Sequence, residues 1–175
     1  LSRVRIGGNT RVELERPGLG TWIRTVARGD DPSRAERAVE RAFDAIARVD
    51  RQMSVHRPDS QLARVNRAAG IEAVKVDDAV IEVVTRARAR AQRSGGVYDP
   101  TVLPLMRLYG FYGARRGGFP ADREIANALD AVGWRHVIVD RAAGTLGLAR
   151  RGAGIDLGSI GKGWAVDQAV AALRA

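Results

Sequence analysis

The sequence contains no cysteine and only two lysines, Lys75 and Lys162. The absence of cysteine excludes disulfides, thiolate catalysis and cysteine-ligated metals. It does not identify the compartment, because many exported proteins also lack cysteine. No apolar run approaches the roughly 20 residues of a membrane-spanning helix, and no signal peptide is recognisable. The chain begins at Leu1 rather than Met, which leaves room for a segment removed upstream.

The formal net charge is +9, from 29 Lys and Arg against 20 Asp and Glu. A basic balance of this size invites a nucleic-acid function. The arginines alternate with acidic residues between Asp30 and Arg51, however, and no long basic run or basic–aromatic alternation occurs. A solvated surface explains the charge better, so no nucleic-acid partner is predicted. The positive field would still attract an anionic ligand such as a nucleotide.

The length of 175 residues makes one domain the default, and it is enough to bury a core. Hydrophobic residues make up 45% of the chain, which is not a disordered composition. Strands and helices are predicted in mixed order, with hairpins. This order favours an α+β fold, with a mixed or antiparallel sheet and packed helices, over a doubly wound fold.

Alternating apolar and polar residues predict the strands. Pro17-Gly18 is expected to end the second strand, and Asp30-Asp31-Pro32 the third. A flexible basic loop is expected at Gly113–Gly118. The predicted strands are residues 2–6 and 10–15 around the turn Gly7-Gly8-Asn9, Leu19–Ala27, a short strand over 71–76, and a hairpin of Val137–Val139 and Thr145–Leu148.

Helices are predicted where apolar residues recur at helical spacing behind a capping residue. The first has a Ser33-x-x-Glu36 capping box. The second follows a turn in which Asp59 or Ser60 is the cap, and Gly95-Gly96 is expected to end the third. The predicted helices cover about 33–52, a short stretch after Ser60, Asp77 or Asp78 to about Ser94, and Ala121–Val132. A last helical run, Ala165–Ala175, has no glycine cap, as in a chain that stops inside or just after a helix.

The stretch Gly154–Asp167 reads G-I-D-L-G-S-I-G-K-G-W-A-V-D. It predicts a short strand carrying Asp156, a glycine turn containing Ser159 and Lys162, and the start of a helix. Such a turn aims backbone N–H groups at an anion, and its glycines let a phosphate approach closely. The spacing is neither that of a Walker A loop nor that of G-x-G-x-x-G. On spacing alone, an ordinary strand-to-helix turn with a solvated lysine is an equal alternative.

A second unusual stretch, Gly95–Val102, places two glycines, an aromatic, an acid and a proline between two structured segments. Such a loop can wrap a planar ligand. Taken alone, it is better explained as ordinary loop chemistry. His56, just before the turn at Pro58, is by itself most typical of a surface or packing residue.

Four stretches together resemble one family, in the order and spacing of its motifs. They are S-G-G-V-Y-D-P-T-V at 94–102, I-D-L-G-S-I-G-K-G-W-A-V-D at 155–167, M-S-V-H-R-P-D-S-Q-L-A-R-V-N at 53–66, and L-G-T at 19–21. The family is that of the FAD:protein FMN transferases of the ApbE type, formerly called thiamine-biosynthesis lipoproteins. The resemblance covers essentially the whole chain and implies the N-terminal part of the ApbE-like fold, with a T-fold-like core.

The resemblance implies an enzyme that uses FAD and a divalent metal, usually Mg²⁺. Such an enzyme transfers FMN onto a threonine hydroxyl of a flavoprotein subunit and releases AMP. Some members mainly hydrolyse FAD to FMN and AMP. Phosphoryl transfer needs positioning and charge neutralisation more than covalent help from the protein, which suits this sequence. No catalytic residue is assigned.

The resemblance also implies roles for particular residues. Leu19 stands where the family has Met, in a strand against the flavin, and His56 stands where the family usually has Tyr or Trp, which weakens a stacking contact. Ser159 matches a position that contacts Mg²⁺ through its carbonyl or hydroxyl. The residues matched to FAD-binding positions are Leu19, Gly20, Thr21, His56, Val97, Tyr98, Asp99, Asp156 and Lys162.

Members of the family are roughly twice the size of a single small domain. Their second half carries a Gly-Gly-Asp turn, and later an Asp and a Thr or Ser that complete the metal site. The resemblance therefore implies that residues 1–175 form the N-terminal, FAD-facing part, without most of the metal ligands. A truncated or cleaved chain, or a split protein with a C-terminal half chain, is favoured over a degenerate protein because the motifs present are intact. A homodimer is a further way to complete the site.

Two functions therefore remain open. The first is Mg²⁺-dependent FMN transfer to a target flavoprotein. The alternative is an FAD-binding module, or an FAD pyrophosphatase without transfer activity. The family is expected at the membrane periphery or exported, with a cytoplasmic minority.

Overall fold

The structure is a computed structural model that describes residues 2–6, 9–113 and 117–174. The predicted turn at Gly7-Gly8, residues 114–116 of the predicted basic loop, and Ala175 lie outside the described residues. The chain forms two compact units, Leu1–Arg51 with Gly161–Ala175, and Gln52–Ile160. None of the helices in the described ranges is long and apolar enough to cross a membrane.

The elements follow one another in mixed order, and within the described residues the strands form two three-stranded antiparallel sheets, β1-β2-β3 and β4-β6-β5. The predicted α+β class is confirmed. The strands are β1 (Ser2–Ile6), β2 (Asn9–Gly18), β3 (Thr21–Gly29), β4 (Val74–Lys75), β5 (Val137–Asp140) and β6 (Thr145–Leu148). The helices are α1 (Pro32–Met53), α2 (Gln61–Arg67), α3 (Asp78–Arg93), α4 (Leu103–Leu108), α5 (Asp122–Leu129) and α6 (Gly158–Arg174), with a 3₁₀ turn at Trp134–His136.

In the first unit, α1 packs one apolar face against the sheet. Val12 of β2 is fully buried and forms a core with Ala35, Val39 and Phe43 of α1. These three helical residues are four apart, so they lie on one face of the helix. The helix predicted over 33–52 is confirmed, and its apolar stripe is core.

The start of α1 differs from the prediction. The helix begins at Pro32, and Asp31 rather than Ser33 caps it: Oδ1 of Asp31 accepts hydrogen bonds from the backbone N–H groups of Ser33 at 2.8 Å and Arg34 at 3.2 Å. Proline suits the first helical position because its missing N–H would have no partner there. The prediction of a cap at Ser33 was wrong because Asp31 offers the same chemistry two residues earlier.

A two-residue hairpin loop joins β2 to β3. Gly18 pairs with Thr21, and Leu19 and Gly20 between them have φ values of 54° and 72°. Two successive residues in the left-handed region are typical of a type I′ turn. The strand predicted from Leu19 therefore begins at Thr21, and Pro17-Gly18 does not break β2. Proline is tolerated there because β1 pairs with residues 9–13 of β2, so that, among the described residues, one side of Pro17 faces no partner strand.

In the second unit, α2 contacts β6 and α3 contacts β5. The cap at Ser60 is confirmed, since its Oγ accepts from the Ala63 N–H at 2.9 Å. The hairpin of β5 and β6 is confirmed as well. Two elements are shorter than predicted: β4 is limited to two residues, because its pairing with β6 covers only Val74 and Lys75, and the helix predicted over 121–132 covers Asp122–Leu129.

The buried segment Ala153–Leu157 belongs to no strand, so the strand predicted there is wrong. A side chain satisfies its backbone instead. Asn66 Nδ2 donates to the Ile155 carbonyl at 2.9 Å, and Asn66 Oδ1 accepts from the Ile155 N–H at 2.8 Å. The Asp156 N–H donates to the Pro100 carbonyl at 2.8 Å. Buried backbone groups need such partners, and here they hold Asp156 in place.

Candidate functional site

Asp156 is a buried acid at the start of α6, with 8% of its surface exposed. Its Oδ1 accepts a hydrogen bond from the Gly158 N–H at 2.6 Å, and its Oδ2 accepts one from the Tyr112 hydroxyl. A Cβ at position 158 would lie 3.0 Å from Oδ1, so glycine allows the carboxylate to approach the helix this closely. The positive end of the helix dipole favours a carboxylate at this place.

Tyr112 connects Asp156 with His56. Burial, and next the hydrogen bond to Asp156, raise the pKa of Tyr112 well above its usual value. The phenol therefore stays protonated at physiological pH and acts as the donor to the carboxylate. Its ring lies 5.1 Å from the ring of His56, centroid to centroid, at an interplanar angle of 56°. His56 is itself exposed and packs against Tyr112.

Tyr98 and Ser159 form a second contact in the same unit. The Ser159 hydroxyl donates to the Tyr98 hydroxyl oxygen at 3.2 Å, and the Tyr98 N–H donates to Ser94 Oγ at 3.0 Å. Ser159 is exposed in the first turn of α6. The predicted glycine turn is wrong in form, because Gly158, Gly161 and Gly163 lie within this helix. At this helix start the Gly158 N–H already donates to Asp156 and the Ile160 N–H to the Leu157 carbonyl.

Val97 and Asp99 lie in the loop before α4, but only Asp99 is fixed by side-chain hydrogen bonds. Val97 is 94% exposed. Asp99 Oδ1 accepts from the Thr101 N–H at 2.8 Å and the Thr101 hydroxyl at 2.6 Å, while Oδ2 accepts from the Trp134 N–H at 2.9 Å. Thr101, which is fully buried, accepts in turn from the Gly133 N–H at 2.7 Å. Asp99 thus fastens its loop to the chain near residue 133.

We expect Asp99→Ala to lower the free energy of unfolding by about 2 kcal/mol, because two backbone N–H groups and a buried hydroxyl lose their acceptor. Asp99→Asn keeps one carbonyl oxygen and should recover more than half of that loss. Thermal melting would measure both, with Asp130→Ala, an exposed acid of the same unit, as the control. An Ala variant as stable as wild type would contradict this structural role.

The remaining residues predicted for the site belong to the first unit. Leu19 and Gly20 form the β2–β3 turn, and Thr21 is the first residue of β3. Lys162 is exposed on α6, three residues after Ser159 in the sequence. The structure thus joins Asp156, Tyr112 and His56 in one network and Tyr98 with Ser159 in another, all within the second unit.

Leu19 is the one residue other than glycine with positive φ among the described residues. The Cβ of an ordinary L residue costs about 1–2 kcal/mol in this region, whereas Asn adopts it more readily. We therefore expect Leu19→Asn, which creates the favoured Asn-Gly turn, to raise the melting temperature by about 4 °C. Leu19→Ala keeps the Cβ strain and serves as the matched control. An Asn variant that melts no higher than the Ala variant would refute the argument.

The described residues do not make up a metal site. Among them, no three His, Cys, Asp or Glu side chains lie close enough together to hold an ion. Ser159 offers one hydroxyl oxygen, whereas Mg²⁺ requires near-octahedral coordination by oxygen ligands. The residues present therefore do not fit a complete Mg²⁺ site.

Sequence reasoning missed two residues that position Asp156. Tyr112 lies outside the motifs quoted above, and Asn66 is included there only as the last residue of the 53–66 motif. Asn66 lies on the buried face of a short helix, and a polar residue among apolar ones at such a position is the signal that could have identified it. No local pattern indicates that Tyr112 contacts an acid 44 residues away.

Known proteins resemble this chain in both sequence and fold. The model of the ApbE family matches residues 19–175. An FAD:protein FMN transferase of Treponema pallidum is 30% identical over 179 residues, which cover 99% of this chain and 48% of that protein. One of Vibrio cholerae is 31% identical over 160 residues, which cover 90% of this chain and 47% of that protein. The chain thus spans about half the length of these curated relatives.

Two solved structures agree with these matches. The flavin transferase ApbE from Vibrio cholerae superposes with a TM-score of 0.86 at 29% identity, over 94% of this chain and 53% of that one. The ApbE protein of Thermotoga maritima gives 0.84 at 29% identity, over 93% of this chain and 52% of that one. Since the family model matches far more than half of the sequence and the folds agree, this chain belongs to the ApbE family.

Proposed function

We propose that this chain is the FAD-binding part of an FAD:protein FMN transferase. The whole enzyme would transfer FMN from FAD to a threonine hydroxyl of a target flavoprotein and release AMP. The observation that carries the proposal is the family match over residues 19–175, together with relatives named FAD:protein FMN transferase. The buried Asp156 at the start of α6 supports it, because a fixed carboxylate next to backbone N–H groups can orient a nucleotide.

In this proposal the site residues make different kinds of interaction with FAD. Asp156 accepts a hydrogen bond from a donor group of FAD, and Lys162 brings a positive charge to the phosphates. Tyr98 and His56 offer aromatic surface, and Val97 offers exposed apolar surface. Leu19 and Gly20 of the β2–β3 turn, with Thr21 at the start of β3, contact the flavin. Asp99 acts by holding the loop that carries Val97 and Tyr98.

The transfer itself exchanges one P–O bond for another. The threonine oxygen attacks the phosphorus of the FMN moiety, the bond from that phosphorus to the AMP oxygen breaks, and the threonine proton leaves to a base that we do not assign. Charge neutralisation governs such a step. We propose Mg²⁺ dependence for the whole enzyme, with Ser159 as one ligand and the other ligands from a C-terminal half chain or a second copy.

The test is incubation of the chain with FAD and MgCl₂, while AMP and FMN are followed by chromatography. The reaction is run with a threonine-bearing acceptor peptide and with the same peptide carrying Ala in place of Thr. AMP release with FMN bound only to the threonine peptide would support transfer. AMP release that is equal with both peptides would favour an FAD pyrophosphatase.

A parallel equilibrium measurement separates binding from chemistry. Retention of FAD without AMP release would support the cofactor-binding role of this part, and adding the remaining half of the protein should then restore turnover. If neither FAD retention nor AMP release occurs, even with the remaining half present, the proposed function is wrong.

A further inference from the structure

Both carboxylate oxygens of Asp156 accept a hydrogen bond, one from the backbone and the other from a side chain. Oδ1 accepts from the backbone of Gly158, a bond that is part of the start of α6. Oδ2 accepts from the side chain of Tyr112. A ligand can replace Tyr112 by a side-chain movement, whereas it can replace Gly158 only by disturbing the helix. Oδ2 is therefore the oxygen at which a hydrogen-bond donor of a ligand can replace the Tyr112 hydroxyl.

Tyr112 lies on a short segment with left-handed glycines at both ends. Gly110 and Gly113 have φ values of 75° and 91°, and the Phe111 side chain between them is 72% exposed. The Phe111 N–H donates to the Met106 carbonyl at 2.9 Å. The Tyr112 side chain donates a hydrogen bond to Asp156 and packs against the ring of the exposed His56.

On the basis of the proposed function, we propose that Tyr112 is a gate over Asp156. In the ligand-free protein its hydroxyl occupies Oδ2, and a hydrogen-bond donor of the bound nucleotide takes its place. The incoming group is an exocyclic amine or a ribose hydroxyl, because a carboxylate repels a phosphate. FAD binds only to molecules in which the gate is open. The apparent association constant is therefore the intrinsic constant multiplied by the open fraction.

Tyr112→Phe tests the gate, because it keeps the ring against His56 and removes the hydroxyl. We expect FAD affinity to rise about tenfold, as the ligand no longer displaces a hydrogen bond to a charged group. Isothermal titration with FAD measures it. Tyr109→Phe is the matched control, because Tyr109 is 45% exposed and lies three residues away. It should bind FAD like wild type, and an unchanged or lower affinity in Tyr112→Phe overturns the gate.

A ligand-free measurement separates this inference from the proposed function. Without FAD, Asp156 is modified by a water-soluble carbodiimide with glycine ethyl ester and quantified by peptide mass spectrometry. Tyr112→Ala should raise the modification of Asp156 severalfold, and Tyr109→Phe should not. If neither wild type nor variant binds FAD, the proposed function is wrong. The labelling alone then tests whether Tyr112 covers Asp156. Unchanged labelling then shows that Tyr112 does not cover Asp156.

Discussion

Asp156→Ala is expected to lower FAD affinity about 100-fold, because a charge-assisted hydrogen bond contributes about 1.5–3 kcal/mol and the fixed acceptor is lost. The same substitution removes the partner of the Gly158 N–H and of the Tyr112 hydroxyl. Part of its effect will therefore be a lower melting temperature. Titration with FAD below the melting temperature of the variant measures the affinity separately.

Asp156→Asn keeps the shape of the side chain and an oxygen for the Gly158 N–H. It should fold like wild type and still bind FAD at least about tenfold more weakly, because an amide in place of the charged oxygen repels a donor. Asp44→Asn, an exposed acid on α1, is the control. Wild-type affinity in a folded Asp156→Asn variant would mean that Asp156 has only a structural role.

Asn66→Ala is expected to lower the free energy of unfolding by about 3 kcal/mol, since it leaves the Ile155 N–H and carbonyl buried without partners, at about 1–3 kcal/mol each. Chemical denaturation followed by circular dichroism measures it. FAD affinity should fall as well, because the segment that carries Asp156 loses its anchor.

Asn127→Ala, an exposed asparagine on α5, is the matched control and should change stability little. Asn66→Asp adds a sharper comparison. It keeps the size of the side chain but directs an oxygen at the Ile155 carbonyl, so it should be at least as unstable as the Ala variant. If Asn66→Ala unfolds at the wild-type denaturant concentration, the paired hydrogen bonds do not stabilise the segment.

The elements with local signals could be predicted from the sequence. The Ser60 cap, the β5–β6 hairpin and the apolar face of α1 depend on residues within a few positions of one another. The resemblance to the ApbE family likewise rests on short stretches whose order along the chain is visible in the sequence. These features need no knowledge of which distant segments meet.

The features that position Asp156 depend on distant contacts, and prediction failed there. A continuous apolar run around Asp156 resembles a buried strand, but its backbone partner is the side chain of Asn66, 89 residues earlier. Pattern alone cannot distinguish the two cases, because both bury the same apolar side chains. The hydrogen bond from Tyr112 could not be predicted either, because a tyrosine beside other aromatic residues does not indicate a contact with a distant buried carboxylate.

The hydrogen bonds of Asp99 and Thr101 to the backbone near residue 133 have a consequence for observing the protein in solution. The amide hydrogens of Gly133 and Trp134 are held by acceptors in the loop that carries Val97 and Tyr98. Their exchange with deuterium therefore requires the hydrogen bonds between this loop and residues 133–134 to break. The two amides thus report how readily contacts with a segment more than 30 residues away open, without any label on the loop itself.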